Sequence, residues 1–268
     1  MYRGFLHSGL TRSLFVVDQV FSPLNVPGCQ LALLGKRITG VSVGGAITTW
    51  PDASGQGNNA TQSTASKKAT LQQVTNGGRT FKVARFDGID DSFTLGDVLD
   101  WEYTQAWTLY VISSQGTHGS WLSKLRSAAN LYTGWALGIT GGVAKSLQVL
   151  VDNQLGGANR YIQVEGATAV NDSTWRIQCA TYDGSGLAAG VTLYLNGAVD
   201  TPTVLKDTLG GTSALHDDPL GLGANINEDQ AHLTGDVAAA FAYTGVLSAA
   251  TRQRIDRWCN REFGVTLA

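Results

Sequence analysis

Hydrophobic and polar positions alternate with a period of two along several short stretches of this chain. In Val191-Thr-Leu-Tyr-Leu-Asn-Gly197, Val191, Leu193 and Leu195 fall on one side of an extended backbone, and Thr192 and Tyr194 fall on the other. The stretch runs into Asn196-Gly197, a pair suited to a type I′ turn because both central residues need φ > 0. Upstream, residues 175–182 alternate in the same way and end at Asp183-Gly184. Two half-buried strands, each closed by a turn, predict an antiparallel sheet with one face toward water. Further runs at 81–86, 108–113, 135–140, 147–152, 161–165, 176–182, 191–196 and 236–243 are separated by turn pairs such as Asp87-Gly88, Gly141-Gly142 and Gly156-Gly157. This spacing predicts a β-sandwich or barrel, and neither a βαβ rhythm nor a repeat of 20 to 50 residues is present.

The period changes at the two ends. Leu10, Leu14, Val17 and Phe21 recur at helical spacing, although Leu14-Phe-Val-Val is equally suited to a strand. Residues 1–24 therefore read as an arm, stopped by Pro23 and Pro27, that either folds onto its own domain or docks on a neighbouring subunit. Its four apolar residues are the candidate attachment residues. At the other end Ser248 is placed to cap a helix over residues 248–264. Ile255, Trp258, Cys259 and Phe263 line one side, Arg252, Arg254, Arg257 and Arg261 the other, and Gly264 supplies the stop. This helix is expected on the edge of the sandwich. The remainder, residues 25–268, reads as one domain.

Composition narrows the function. Of 268 residues only 15% are charged, against roughly 25% in an average globular protein, and 33 are glycine. The net charge is −2 and no basic stripe is present, which argues against nucleic-acid binding. No apolar run approaches the ~20 residues that span a bilayer, so membrane insertion is not expected. Arg3, Arg12 and Asp18 interrupt the first residues, which therefore do not read as a secretion leader. Release by cell lysis, as part of a virus particle, is the expected route out of the host cytoplasm. Cys29, Cys179 and Cys259 lie far apart with no CxxC pair, which argues against a zinc site and a disulfide framework and for three buried thiols.

Four blocks, in order, resemble the laminin-G-like, concanavalin A-like jelly-roll family. Trp50-Pro-Asp-Ala-Ser-Gly-Gln-Gly-Asn-Asn-Ala-Thr-Gln62 is similar to its W-x-D-x-S-G-x-G-N-x-A-x-Q loop, and Val83-Ala-Arg-Phe-Asp-Gly-Ile-Asp-Asp91 to its F-D-G-x-D-D strand and turn. The others are Thr174-Trp175 through Gly197, and Gly235-Asp-Val-Ala with Gly245-Val-Leu-Ser248 and the terminal helix. The resemblance covers residues 30 to 265. It implies an all-β, two-sheet antiparallel jelly-roll sandwich. The family is frequent in bacteriophage virion proteins and bacterial surface proteins. For this chain that implies a non-enzymatic virion component, attached to tail or capsid and present in several copies. Its partners would be other virion proteins and a host-surface polysaccharide. A purely structural decoration or adaptor protein without ligand is the alternative.

A glycan hydrolase is a further alternative with little support. The glutamates Glu102, Glu165, Glu228 and Glu262 are too dispersed for the Glu-x-Asp-x-(x)-Glu strand of related glucanases. No phosphate loop of the G-x-x-x-x-G-K-[ST] type occurs. The candidate cofactor is Ca²⁺, a hard ion that takes carboxylate and carbonyl oxygens. Asp52, Asp87, Asp90, Asp91 and Asp236, all in the family-like blocks, are the candidate ligands, with turn formation as the competing role. Sugar binding requires exposed aromatic faces. Trp101, Tyr103, Trp121, Tyr132 and Tyr161 are the candidates for such a platform, whereas Trp107, Trp135 and Trp175 occupy expected core positions.

Overall fold

The computed structural model describes residues 21–116, 119–128, 131–139, 146–153, 160–211, 213–227 and 229–268. Leu10, Leu14 and Val17 lie outside the described residues, as do the turn pairs at 141–142 and 156–157. The described residues form β1 (Cys29–Leu34), β2 (Thr49–Trp50), β3 (Ala60–Thr61), β4 (Thr70–Asn76), β5 (Arg79–Asp87), β6 (Phe93–Thr94), β7 (Trp107–Gln115), β8 (Gly119–Ala128), β9 (Leu131–Ile139), β10 (Ser146–Asn153), β11 (Tyr161–Ala169), β12 (Trp175–Tyr182), β13 (Val191–Leu195), β14 (Ala198–Val199), β15 (Thr203–Asp207), β16 (Gly221–Leu222), β17 (Thr234–Thr244) and one helix, α1 (Ala249–Phe263).

The strands make two antiparallel sheets, as the resemblance implied. The first runs β14-β13-β12-β7-β17-β5-β4, with β1 also on β17. The second runs β15-β11-β10-β9-β8-β16-β6-β3-β2. The β13–β14 hairpin closes at Asn196 (φ 51°) and Gly197 (φ 90°), both left-handed as a type I′ turn requires. Asn196 also ties the turn inward. Its Oδ1 accepts from the Ile177 N–H at 2.9 Å, and its backbone N–H donates to the Ile177 carbonyl at 2.8 Å.

Between the sheets lies a core that includes Leu31, Trp50, Phe86, Phe93, Trp107, Leu109, Trp121, Trp135, Ile162, Leu193 and Leu222. A second apolar layer lies on the other face of the first sheet. There Tyr110, Ile112, Ile177, Cys179, Phe241 and Tyr243 meet Ile255, Trp258, Cys259 and Phe263 of α1. The helix therefore covers the outer face of the first sheet over β7, β12 and β17 and does not sit on the sandwich edge, and these three strands keep little of the expected wet face. The physical reason is the outward row of β7, β12 and β17. It is apolar too, so little of either side of these strands is left for water.

Strand β17 adapts to this double burial. Its register shifts between Val237 and Ala239, where β5 pairing gives way to β1. Val237, Ala240 and Ala242 point between the sheets, whereas Ala238, Ala239, Phe241 and Tyr243 point toward the helix layer. The extra residue at the bulge switches the alternation by one position.

Helix α1 forms as its sequence dictates. Ser248 Oγ accepts from the Thr251 N–H at 3.2 Å, and Gly264 adopts the left-handed cap (φ 63°). Trp258 packs edge-on against Phe241 at 6.0 Å and Phe263 at 5.8 Å. All three cysteines are free, buried and in this outer layer. Burial pushes the Cys29 thiol up to about 11 and raises Cys179 and Cys259 as well. Phe21 joins the same layer, with the Arg254 guanidinium 4.3 Å above its ring.

Trp258→Ala is expected to lower stability by about 3 kcal/mol or more, as aromatic deletions from a core do. Urea unfolding monitored by circular dichroism checks this. A loss under about 1 kcal/mol would mean the helix only grazes the sheet.

Candidate functional site

The five calcium-candidate aspartates separate into three environments. Asp52 organises the Trp50–Gln62 loop. Its Oδ1 accepts from the Ala32 and Ser54 N–H groups, each at 2.9 Å, and its Oδ2 accepts from Ser54 Oγ at 2.6 Å and the Asn58 N–H at 3.0 Å. Asn58 in turn donates to the Gln30 carbonyl at 2.9 Å. The loop is thus clamped to β1, and the Asp52 carboxylate is engaged as a turn-former. Asp236 forms a two-pronged ion pair with Arg85, at 2.7 and 2.8 Å. Neither joins a common site with the rest.

Asp87, Asp90 and Asp91 do converge, with carboxylate oxygens within 4.8 Å of one another. They sit in the β5–β6 turn. Asp87 Oδ1 accepts from the Ile89 N–H at 2.8 Å, and Asp91 Oδ2 accepts from the Asp87 N–H at 3.0 Å. Asp91 is buried, at 6% exposure. Burial first, and then the charge of Asp87, push its carboxyl up to about 6. The three groups are hard oxygen donors of the type Ca²⁺ takes, and each retains lone pairs beyond those used in the turn.

The aromatic candidates also divide. Trp121 is fully buried and points between the sheets, so its ring has no free face. Trp101 is 8% exposed and stacks on Trp135 at 5.1 Å and Trp107 at 6.0 Å. Both belong to the core because their loops close over the sandwich rather than project from it. Tyr103 is half-buried against the same cluster, and its carbonyl accepts from the Tyr182 hydroxyl. Trp101 and Trp121 offer no platform.

Tyr132 and Tyr161 lie together on the outer face of the second sheet. In β11, Ile162 and Val164 point into the core, so Tyr161, Gln163 and Glu165 point outward. Asp152 of β10 is in register with both Tyr161 and Gly134, and Tyr132 is two residues along β9 from Gly134 on the same face. Two strand spacings, roughly 9–10 Å, separate the tyrosine-bearing strands. Along β9 this row continues through Gly134, Ala136 and Gly138, of which both glycines are buried, and the buried His216 ring adjoins Gly134. A Cβ at Gly134 would come within 1.9 Å of the Lys124 carbonyl oxygen, so no side chain fits there.

The polar groups of this face come from three segments. Lys206 of β15 places its Nζ 5.7 Å from the centre of the Tyr161 ring. Gln163 is in register with Lys206. On the far side the 225–230 loop, closed by an Asn225–Gln230 bridge, folds over β16 and β8. Gln230 Nε2 donates to the Tyr132 hydroxyl at 3.2 Å, and Asn227 Nδ2 donates to the Leu125 carbonyl at 2.8 Å. The result is a shallow face with two aromatic rings, amide and ammonium donors, and a loop as one wall. Gln163 and Glu165 were not singled out from sequence, although their alternation with Ile162 and Val164 carries the signal. Lys206 and Gln230 are brought in by tertiary structure alone.

No family model matches the chain, and no curated protein sequence matches it. Solved structures do match. The binding domain of Paraclostridial Mosquitocidal Protein 1 superposes with a TM-score of 0.58 at 14% identity, over 85% of this chain and 52% of that one. Domain 4 of AbnA, a GH43 extracellular arabinanase from Geobacillus stearothermophilus in complex with arabinotriose, gives 0.54 at 13% identity, over 85% of this chain and 98% of that one. The botulinum neurotoxin serotype D ligand binding domain in complex with N-acetylneuraminic acid gives 0.54 at 13% identity, over 88% and 51%. This chain spans about half the length of the two toxin domains. At these identities the likeness is one of fold, a β-sandwich shared with receptor- and sugar-binding domains.

The raised Asp91 carboxyl has a signed consequence. Between the unfolded value of 3.8 and about 6, the folded state holds a proton that the unfolded state has lost. Its contribution to stability therefore falls as pH rises through that window. Asp91→Asn is expected to raise the thermal midpoint at pH 7.5 by about 2–4 °C, the shift that roughly 1 kcal/mol produces in a domain of this size. At pH 4 the gain should nearly vanish. Calorimetric scans at both pH values check it, and equal shifts at the two would contradict it.

Proposed function

We propose that this protein is a non-enzymatic, lectin-like module that binds carbohydrate on the outer face of its second sheet. The single observation that carries this reading is the shared face of Tyr132 and Tyr161 with Gln163, Glu165, Lys206 and Gln230 around them. Sugars bind where aromatic rings meet their apolar C–H faces and polar side chains take their hydroxyls. The separation of the two tyrosine strands suits an oligosaccharide lying across β9–β11. Support also comes from two fold neighbours whose structures hold arabinotriose and N-acetylneuraminic acid. Against hydrolysis stand two of the four glutamates. Glu102 accepts from the Ser213 hydroxyl and the Ala214 N–H, and Glu262 pairs with Lys36.

The setting that fits the sequence resemblance is a bacteriophage virion, with the domain attached to tail or capsid through residues 1–24 and facing a host-surface polysaccharide. In the same reading Asp87, Asp90 and Asp91 hold Ca²⁺, whose charge would offset the burial, and then the Asp87 charge, that raise the Asp91 carboxyl.

Isothermal titration of host polysaccharide and of arabino- and sialo-oligosaccharides, with and without added Ca²⁺, tests the proposal. Tyr161→Ala is expected to weaken binding about tenfold or more, equivalent to 1.4 kcal/mol, with an unchanged unfolding curve. Binding that persists undiminished in a Tyr132→Ala/Tyr161→Ala double variant would reject this face. Absence of binding to every glycan would favour the ligand-free decoration protein.

A further inference from the structure

Asp256 stands apart among the buried charged side chains. It lies on α1 with 5% of its surface exposed. The comparable groups among the described residues are all engaged. Lys124 pairs with Asp97 and Asp100, Arg176 with Asp172, and Asp236 with Arg85, while Asp200 accepts from Thr168 and Asp91 from the Asp87 N–H. Among the same residues no donor completes a hydrogen bond or ion pair with the Asp256 carboxylate. A buried carboxylate without a partner is costly in its charged form.

The groups around it come from every element packed there. From β7 the Tyr110 hydroxyl, fully buried, faces the carboxylate and completes no hydrogen bond of its own. The thiols of Cys179 on β12 and Cys259 on α1 lie near, and burial keeps both from ionising. Arg252 and Arg257 are the cations within electrostatic reach. Arg252 is committed elsewhere, since its guanidinium donates to the Leu247 carbonyl and lies 4.3 Å from the centre of the Tyr194 ring of β13. The Asn196-Gly197 turn brings no titratable side chain, and a Cβ at Gly197 would lie 3.4 Å from Asp256 Oδ2.

Asp256 also borders an opening. A cavity of about 160 Å³ lies between Asp256 and Gln253 of α1, the Asn196-Gly197 turn, and Leu267 and Ala268 of the segment that follows the helix. That last wall is lightly held. The Ala268 N–H donates to the Asn196 carbonyl at 3.0 Å, and Leu267 is only half-buried against the outer layer. The firm anchor is one step earlier, at the buried Val265, whose carbonyl accepts from Asn260 Nδ2 at 2.8 Å.

We propose that Asp256 is a proton-controlled latch for the segment after α1. With the carboxyl neutral, residues 266–268 stay closed on the Asn196-Gly197 turn. With it ionised, they lift from the turn and the cavity admits water to the charge. Val265 holds the helix end in both states, so the opening is local. Burial pushes the carboxyl up from 3.8 to about 6, against the opposing pull of Arg252, Tyr110 and Arg257. Between those values the closed form holds a proton that a solvated carboxyl has lost. Closure is therefore favoured in acid and weakens as pH rises through that window. The latch does not depend on the carbohydrate reading above.

Hydrogen exchange on the full chain at pH 4.5 and 7.5, corrected for the intrinsic pH dependence of exchange, tests this. Protection of the Leu267 and Ala268 amides is expected to fall about tenfold or more at the higher pH, since each unit of pKa displacement is worth a factor of ten. Asp256→Asn is expected to abolish the difference, and Asp91→Asn to leave it. In the native protein the carbon-13 NMR signal of the Asp256 carboxyl should titrate near 6. Equal protection at the two pH values would overturn the proposal. So would a carboxyl midpoint near 3.8, or a difference in protection that persists in Asp256→Asn.

Discussion

Burial of the first sheet on both of its faces is the constraint that organises this molecule. A sheet packed on one side only keeps a polar row toward water. Here β7, β12 and β17 have apolar residues in both rows, and α1 must cover the outer one. The bulge in β17, the capped helix and the inward-tied Asn196-Gly197 turn all follow from the need to lay a helix flat on that surface. Among the described residues no α-helix lies on the second sheet.

Strands with clean alternation were readable directly. Each of the eight predicted runs lies in, or overlaps, an observed strand, and the terminal helix has the expected cap and stop. The strands that escaped notice break the rule for identifiable reasons. In β1, Cys29-Gln-Leu-Ala-Leu-Leu34 is buried on both faces, so no period of two is visible. In β8 the register shifts between Ser120 and Leu122, which puts Trp121 beside Leu122 in the core, and a buried lysine follows. Strand β4 is mostly Thr and Gln, as an edge permits. The helix was assigned to an edge because its amphipathic pattern shows that it has a buried side but not which surface buries it.

The site was readable only in part, for a related reason. Exposure of an aromatic depends on what lies above it. Trp101 and Trp121 sit in polar sequence surroundings, yet the fold closes over both. Lys124 is the counterpart, a charged residue with 3% side-chain exposure held between Asp97 and Asp100 at 2.6 Å each. Its burial is tolerable because both carboxylates and the Asp218 carbonyl meet its ammonium, so the loops around residues 97–100 and 218 are stapled to β8. Removing one partner from such a cluster would strand a charge in the interior. These loops frame the end of the sandwich, where the sequence shows only scattered aspartates.

The placement of the cysteines has a further consequence. All three thiols lie in the apolar layer between α1 and the first sheet, with their ionisation suppressed by burial, and it is the thiolate that reacts with oxidants and disulfides. The fold neither needs a cross-link nor exposes a sulfur from which to form one. The molecule can thus keep one covalent structure whether its surroundings are reducing or oxidising.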